Sequence, residues 1–433
     1  MKSGVVINVG NGQAHNKFKI HSAWWILLGL CIIVGLGKGT LNNSAGLFLP
    51  PISNELGIGM GDLTLYFSIS AIITMLYLPF SGRMLEKYNI RFILIISIIC
   101  EAGAYIAFSF MNAVWGWYLF AVPLAFGGVF ITVIAGPVLI SQWFKRNNGL
   151  ALGILTATGG LFGAISQPIV GNIIVHQGWR FAYVAIGLTA IVIAVPIILL
   201  FIKKVNPAKG LYPYCLTESE QNRQEANENI QNTGVSMAVA KKNSAFYALM
   251  IFLFFLTSIS SFSIHIPRYL IDSGYEQTFA GNAMGIYMLG VVLGAIVIGL
   301  INDKFGSKNA TILSMVSGII SVSLLLFASS SAIVIYIALI LFAFVTSGIG
   351  TLGPSLALSL FGIKEYSRIY STASLGLATA AIVALPAYGY IFQFTGSYSG
   401  GLYTILIMLV INIFAVIFAF RGKTKLEKSG LWS

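Results

Sequence analysis

Gly82-Arg83-Met84-Leu85-Glu86-Lys87-Tyr88-Asn89-Ile90-Arg91 returns, chemically matched, as Gly299-Leu300-Ile301-Asn302-Asp303-Lys304-Phe305-Gly306-Ser307-Lys308, an offset of 217 residues. The same offset carries Pro50 to Pro267, Gly57 to Gly274, Gly136 to Gly353, Pro137 to Pro354 and Phe144 to Phe361. A repeat that keeps register over such a distance decides the architecture, and a unit this long is half a protein and not a solenoid module. The chain therefore reads as a duplicated machine.

Of its residues 57% are hydrophobic and 9% charged, and the mean hydropathy is +0.87. That leaves too little polar surface to cover a water-soluble globule. The apolar runs exceed the roughly 20 residues that a helix needs to cross a bilayer. They lack the apolar/polar alternation of a membrane β-barrel, so the expected class is all-α. Twelve transmembrane helices are predicted, near 23–51, 62–82, 91–110, 115–142, 149–173, 180–203, 245–270, 278–301, 309–329, 332–361, 369–393 and 398–420.

The net charge of +12 does not imply nucleic acid as a partner, because of where the charges fall. Of the 25 Lys and Arg residues, all but Lys38, Arg180 and Arg268 lie in the tails or in the connections after spans 2, 4, 6, 8 and 10. Basic loops stay in the cytoplasm during insertion, so a multi-pass protein of the cell membrane with both termini cytoplasmic is expected. The predicted organisation is a tail at 1–22, a six-helix bundle at 23–203, a polar linker at 204–244, a second six-helix bundle at 245–420 and a tail at 421–433. The linker, with its Glu218–Gln231 segment rich in Glu, Asn and Gln, has room for a short surface helix but not for a core. No cleavable signal is expected, since the first 21 residues are polar and the first apolar run outlasts a signal core. Cys31, Cys100 and Cys215 form no disulfide framework.

Glycines four residues apart, at 149, 153, 159 and 163 in span 5 and at 290 and 294 in span 8, let helices approach closely in lipid. Pro79, Pro137, Pro168, Pro196, Pro354 and Pro386 allow bends. Both features suit a bundle that opens at either end.

The repeated loop resembles the signature of the major facilitator superfamily, roughly Gly-x-x-x-Asp-Arg-x-Gly-Arg-Arg/Lys. The second copy matches at Gly299, Asp303, Lys304, Gly306 and Lys308; the first has Glu86 for Asp and Asn89 for the second glycine. Asn tolerates the left-handed backbone, so the same tight turn is expected there. The motif implies a breakable latch at the cytoplasmic mouth, built from Gly82, Arg83, Glu86, Arg91, Gly299, Asp303, Lys304 and Gly306. Its carboxylate would dock on a neighbouring helix N-terminus and its cations would pair across the loop, each contact contributing about 0.3–1 kcal/mol. Trp143-Phe144-Lys145-Arg146 followed by Leu150, Ala151, Gly153, Gly159 and Gly163 is similar to the monocarboxylate and oxalate/formate branch. So are Ser44–Pro51 and His265–Gly274. That branch carries an arginine in span 8 and, in oxalate exchangers, a lysine in span 11. Here Ala295 stands at the first position, and Leu375–Leu385 has no charge.

A replacement cation is at hand. Lys38 stands roughly 22 Å into span 1 and close to the midplane, where a charge costs about 2.5–3.5 kcal/mol and marks a functional site by default. Span 1 lines the cavity in the family it resembles, so Lys38 is expected to bind an anion or exchange a proton. The surrounding Gly35-Leu36-Gly37-Lys38-Gly39-Thr40 is no phosphate loop, because Ile32 and Gly39 break that motif. Glu101, at similar depth in span 3, is expected to pair with Lys38, take up a proton, or hydrogen-bond between helices. His265 and Arg268, one helical turn apart, would share a face and draw an anion to the outer mouth. Arg268 can equally snorkel to the membrane surface. Asn42, Asn43, Tyr66, Gln167, Asn282 and Tyr287 are uncharged candidates for the cavity.

Nothing in the sequence suggests a cofactor, a metal site or an enzyme's acid/base pair. The expectation is a secondary transporter with alternating access. Its partners would be a small organic anion, a carboxylate by resemblance, together with a proton or counter-anion and the bilayer. The same fold also serves drug exporters and membrane sensors.

Overall fold

The computed structural model describes residues 21–144, 148–203, 214, 234–327 and 331–432. Ten continuous apolar helices are long enough to cross a membrane. Two of them, Asn148–Phe201 and Gln277–Phe327, break at Gly178 (φ +83°, ψ 161°) and Gly306 (φ +80°, ψ 159°). Each therefore crosses twice, and the described residues make twelve spans. Only glycine adopts that backbone without strain, so each reversal takes a single residue.

Span 1 is Ser22–Leu56, span 2 Met60–Lys87, span 3 Ile90–Phe108 and span 4 Trp115–Trp143. Spans 5 and 6 are 148–177 and 179–201, flanking Gly178. Span 7 is Ser244–Ile264, continued by Ile266–Asp272. Spans 8 and 9 are 277–305 and 307–327, on either side of Gly306. Span 10 is Ala332–Phe361, span 11 Leu375–Thr395 and span 12 Ser399–Lys428. Continuous helices are what lipid demands, because a backbone N–H or C=O left unpaired in hydrocarbon costs several kcal/mol.

Several ends differ from the sequence expectation. Span 1 runs through Pro50 and Pro51 and stops at Gly57, whose φ of +65° caps it. The two prolines lack only their own N–H donors, which a packed helix tolerates. Span 12 continues past 420 to Lys428 because Arg421, Lys423 and Lys425 are good helix formers that can leave the membrane still helical. Asn89 is not left-handed. It is extended (φ −68°, ψ 123°), and its side chain accepts from the Arg91 N–H, capping span 3. The two repeated loops thus turn differently, one on a cap and one on Gly306.

The duplication is visible in detail. Gly57 and Gly274, related by the offset, both take positive φ. The connection between spans 6 and 7 docks at related points: Tyr214 N–H donates to Trp143 O (2.7 Å) and Val235 N–H to Phe361 O (2.9 Å). A short helix, Met237–Lys242, follows, with Met237 N–H bonded to the Glu365 carboxylate at 3.0 Å. Glu218–Gln231 and Cys215 lie outside the described residues.

The bundles meet along two seams of small residues. Where span 5 faces span 8, a Cβ on Gly171 would stand 3.0 Å from the Gly281 Cα. Where span 2 faces span 11, a Cβ on Gly389 would stand 2.7 Å from Met60 O. In lipid such backbone proximity, and not the hydrophobic effect, holds helices together.

Candidate functional site

The termini and the span 6–7 connection define one face of the molecule, here the terminal face. Hydrogen bonds between the bundles gather toward the other one. Gln393 of span 11 accepts from the Gly61 (2.9 Å) and Asp62 (3.4 Å) N–H groups at the start of span 2, and donates to the Asp62 carboxylate (3.2 Å). Tyr390 donates to the same carboxylate at 3.0 Å. Arg268 donates to Asn54 Oδ1 (2.6 Å), Gln277 to Leu47 O (2.7 Å), and Ser68 to Ile382 O. The innermost of these links runs from Asn43 to Met288 Sδ, at 3.5 Å. Among the described residues the side-chain hydrogen bonds between the bundles thus run from Asn43 outward, away from the terminal face.

Gln393 makes three of those bonds, one to the Asp62 carboxylate, worth about 1.5–3 kcal/mol, and two from backbone N–H groups, worth about 0.5–1.5 kcal/mol each. Gln393→Ala is expected to shift the protein toward a form open at the opposite face. Spin-label distances across that face should lengthen; an unchanged distribution would show that these bonds do not hold it shut.

Lys38 lies at the inner limit of the joined region. It is exposed, whereas the residues on either side of it, Gly37 and Gly39, are buried. Its stem runs along span 5, where a Cβ on Gly159 would stand 3.2 Å from Lys38 Cδ. The next residues of span 5 contact span 8: Gly160 faces Val292, and Gly163 faces Asn43 and Met288. This places the Lys38 stem beside the line where the bundles meet. Among the described residues its ammonium forms no hydrogen bond or ion pair. Asn43 donates to Gly159 O (3.3 Å) as well as to Met288, tying spans 1, 5 and 8 together next to the lysine.

The expected Lys38–Glu101 pair is absent. Glu101 is fully buried within its own bundle, accepting from Asn42 Nδ2 at 2.9 Å, while Tyr105 OH donates to Asn42 Oδ1 at 3.3 Å. Equal depth does not give equal direction. It is Gly37, one residue before Lys38, that faces Glu101, and a Cβ there would stand 3.1 Å from Glu101 Oε2. Both spans around this carboxylate are locally π-helical, at Gly35–Asn42 and Val129–Ile134. Such bulges widen a helix by one residue per turn and recur at functional sites.

His265 begins the helix that carries Arg268, its carbonyl accepting from the Tyr269 N–H at 3.0 Å after a 3₁₀ turn at Phe262–Ile264. The one-turn spacing therefore holds, and both side chains reach the Phe392–Tyr398 ring pair, but each is taken up by other groups. His265 is buried, with Nε2 2.9 Å from Leu385 O and Nδ1 2.9 Å from Tyr398 OH. A carbonyl only accepts, so Nε2 carries the proton and Nδ1 accepts from the tyrosine. Arg268 is held by Asp272 at 3.1 Å, by Asn54, and by the Phe392 ring 4.9 Å away. Neither offers a free cation. Tyr287 is buried, donating to Thr346 at 3.0 Å within the second bundle. Tyr66 is buried against Phe67 and Phe108, and Gln167 is buried with neither amide atom partnered among the described residues. Asn282 is exposed in line with Leu289, Leu293, Ile296 and Leu300, on the outward stripe of span 8.

The latch is not engaged as the motif implied. Among the described residues Asp303 receives only a bond from its neighbour Asn302, at 3.5 Å, and forms no ion pair. Asn302 instead accepts from Ser355 at 2.6 Å, fastening span 8 to span 10. Lys304 lies over the adjacent Phe305 ring at 5.3 Å. No neighbouring group approaches the Cβ position of Gly299, and Gly306 makes the turn. In the first copy Arg91 Nε donates to Ile202 O, pinning span 3 to the end of span 6. The side chains of Gly82, Arg83 and Glu86 lie outside the described residues. Sequence reasoning missed Asp62, Tyr390 and Gln393, which sit at helix ends and carry no marker of their own.

Comparison with known proteins agrees with this architecture. A bacterial homologue of the human lysosomal transporter Spinster, in an inward-facing and unoccupied conformation, superposes with a TM-score of 0.69 at 14% identity, covering 94% of this chain and 98% of that one. The sialic acid transporter NanX of Escherichia coli is 24% identical over 352 residues, 78% of this chain and 81% of its own. The uncharacterized MFS-type transporter YcxA of Bacillus subtilis is 23% identical over 184 residues, 42% of this chain but only 44% of that protein. The family model of the Major Facilitator Superfamily matches residues 31–281 and again 272–431. With a match across both bundles and a doubled twelve-span fold, the chain belongs to the major facilitator superfamily.

Proposed function

We propose that this protein is a secondary active transporter of a small organic anion, a carboxylate, held in the cleft by Lys38. The observation that supports the reading is an exposed lysine within span 1, its stem beside the span 5–span 8 contact and its ammonium without a partner among the described residues. A cation placed there at a cost of about 2.5–3.5 kcal/mol needs a counter-charge, and a substrate carboxylate can supply it. Such a site repels cationic drugs. NanX, similar along most of its length, is named for an acid, which lends support.

The basic residues of the terminal face argue that it is cytoplasmic, which makes the present conformation inward-facing. Transport follows from rocking the bundles about the midplane site, so that the Gln393 and Arg268 contacts open as the other end closes. The driving force is a proton or counter-anion gradient. Purified protein in vesicles, tested with a panel of labelled small carboxylates, should show saturable uptake driven by a pH gradient or by an internal anion. Absence of uptake for every carboxylate under both conditions would overturn the reading.

A further inference from the structure

We propose that a basic pocket between the terminal ends of spans 9 and 12 holds the headgroup phosphate of an anionic membrane phospholipid. The bundles meet along spans 5 and 8 and spans 2 and 11, whereas this pocket is lined by spans 9 and 12 alone. It is a site apart from the one that carries solute, and it does not depend on which solute that is.

Spans 9 and 12 pack closely where they cross the membrane. A Cβ on Gly318 would stand 2.8 Å from Leu409 Cδ2, and Asn412 Nδ2 lies 3.8 Å from Met315 Sδ. Toward the terminal face the small residues give out and long side chains replace them, Lys308 on span 9 and Phe420, Arg421 and Lys423 on span 12. The two helices there enclose a cavity of 440 Å³, with Ile417 at its membrane end and Glu427 at its outer end. Sites for small molecules commonly measure about 300–1,000 Å³.

Three cations line this cavity against one carboxylate. Lys423 is paired with Glu427 at 3.5 Å and lies over the Trp432 ring at 5.0 Å. The side chains of Lys308 and Arg421 form no ion pair or hydrogen bond among the described residues. Each rests on a ring, Lys308 on Phe420 at 5.8 Å and Arg421 on Phe418 at 5.7 Å. Two unpaired cations in one cavity repel each other, and an anion between them removes that cost. Arg421 offers the planar fork that matches a phosphate, and Lys308 adds a point charge.

The duplication shows how the site arose. Lys308 is the counterpart of Arg91 at the offset of 217, yet the two are used differently. Arg91 donates to Ile202 O, a carbonyl left open because span 6 ends at Phe201. The counterpart of Ile202 is Ala419, and span 12 runs on past it to Lys428. A carbonyl in mid-helix is taken by the N–H four residues on, so Lys308 has no such acceptor. The added turns of span 12 thus free one cation and bring Arg421 and Lys423 beside it.

The level of the pocket selects a lipid over a soluble anion. On the face of span 12 that carries Arg421, Ile417, Phe414 and Val410 follow at alternating three- and four-residue steps, and the last two are exposed. On span 9, Lys308 is followed by Ile312 and the exposed Val316. Exposed apolar stripes on a span face acyl chains. A phosphodiester seated at the cations therefore has its tails where these stripes run. Lys and Arg stems reach from apolar surface to that level, and basic pockets between spans on a cytoplasmic face bind anionic headgroups.

Native mass spectrometry of the full chain in detergent, titrated with phosphatidylglycerol or phosphatidylcholine, tests the site. The first phosphatidylglycerol should bind more tightly than phosphatidylcholine. Lys308→Gln and Arg421→Gln should each weaken it about fivefold, and the double variant about 25-fold. Arg368→Gln, which removes an exposed cation outside the pocket, should leave the affinity unchanged. Cooperative thermal unfolding without added lipid shows that each variant is folded, and added phosphatidylglycerol should raise the midpoint of the wild type but not of the double variant. Equal affinity of the wild type for both lipids, a double variant that keeps the preference, or an equal loss in Arg368→Gln would each overturn the site. Excess inorganic phosphate should displace no more lipid than chloride at the same ionic strength; greater displacement would assign the pocket to a free anion and overturn the lipid.

Discussion

Carboxylate uptake by Lys38→Gln is expected to fall by about 30-fold to more than 1000-fold relative to the wild type, with the protein still folded and inserted. The range follows from losing one partner of a desolvated charge pair, about 2–5 kcal/mol, at about 1.4 kcal/mol per factor of ten. The substitution removes charge while keeping most of the stem that lies along Gly159. Since the ammonium has no partner among the described residues, its loss leaves no orphaned protein carboxylate and the fold should be unharmed or slightly more stable. Lys38→Arg keeps the charge but presents a planar fork in place of a point charge, and should retain part of the activity. Equal uptake by wild type and Lys38→Gln would remove the lysine from the site.

Gly46→Ala is expected to abolish transport for a different reason. The added Cβ would lie 2.4 Å from the carbonyl oxygen of Ile264 and 3.1 Å from its carbon, both backbone atoms with no rotamer to yield. Span 1 and the end of span 7 must then separate, and with them the face sealed by Asn54–Arg268 and Asp62–Gln393. Substrate binding at Lys38 should survive while alternation stops. Spin labels on the loops at 57–59 and 273–276 should report a longer distance than in the wild type. A variant that transports normally with an unchanged distance would show that the seal does not depend on this contact.

The residues explain why the fold was legible and the site only partly so. The offset linking Gly57 to Gly274 survives as two positive-φ caps, because backbone reversals in a membrane leave few residue choices. Spans follow from apolar length, since every helix must satisfy its own backbone. Depth was readable too: Lys38 and Glu101 stand at similar levels. Direction was not, because the π-helical stretch at Gly35–Asn42 breaks the 100° count, so that Gly37 and not Lys38 faces Glu101. His265 and Arg268 keep their one-turn spacing, but each is already held by other groups, which spacing does not reveal. Asn89 shows a different failure. Its side chain had two uses, a left-handed turn or a helix cap, and the backbone took the cap. Asp62, Tyr390 and Gln393 matter only as a set, drawn together across the bundles by the seam of Gly61 and Gly389.

The most direct test of the central claim is a structure of the protein bound to a transported carboxylate bearing bromine, with the bromine located by anomalous scattering. The site predicted for the anion is between spans 1, 5 and 8, its carboxylate within hydrogen-bonding distance of Lys38 Nζ and next to Asn43 and Gly159. An anion bound elsewhere, with Lys38 turned toward lipid, would contradict it.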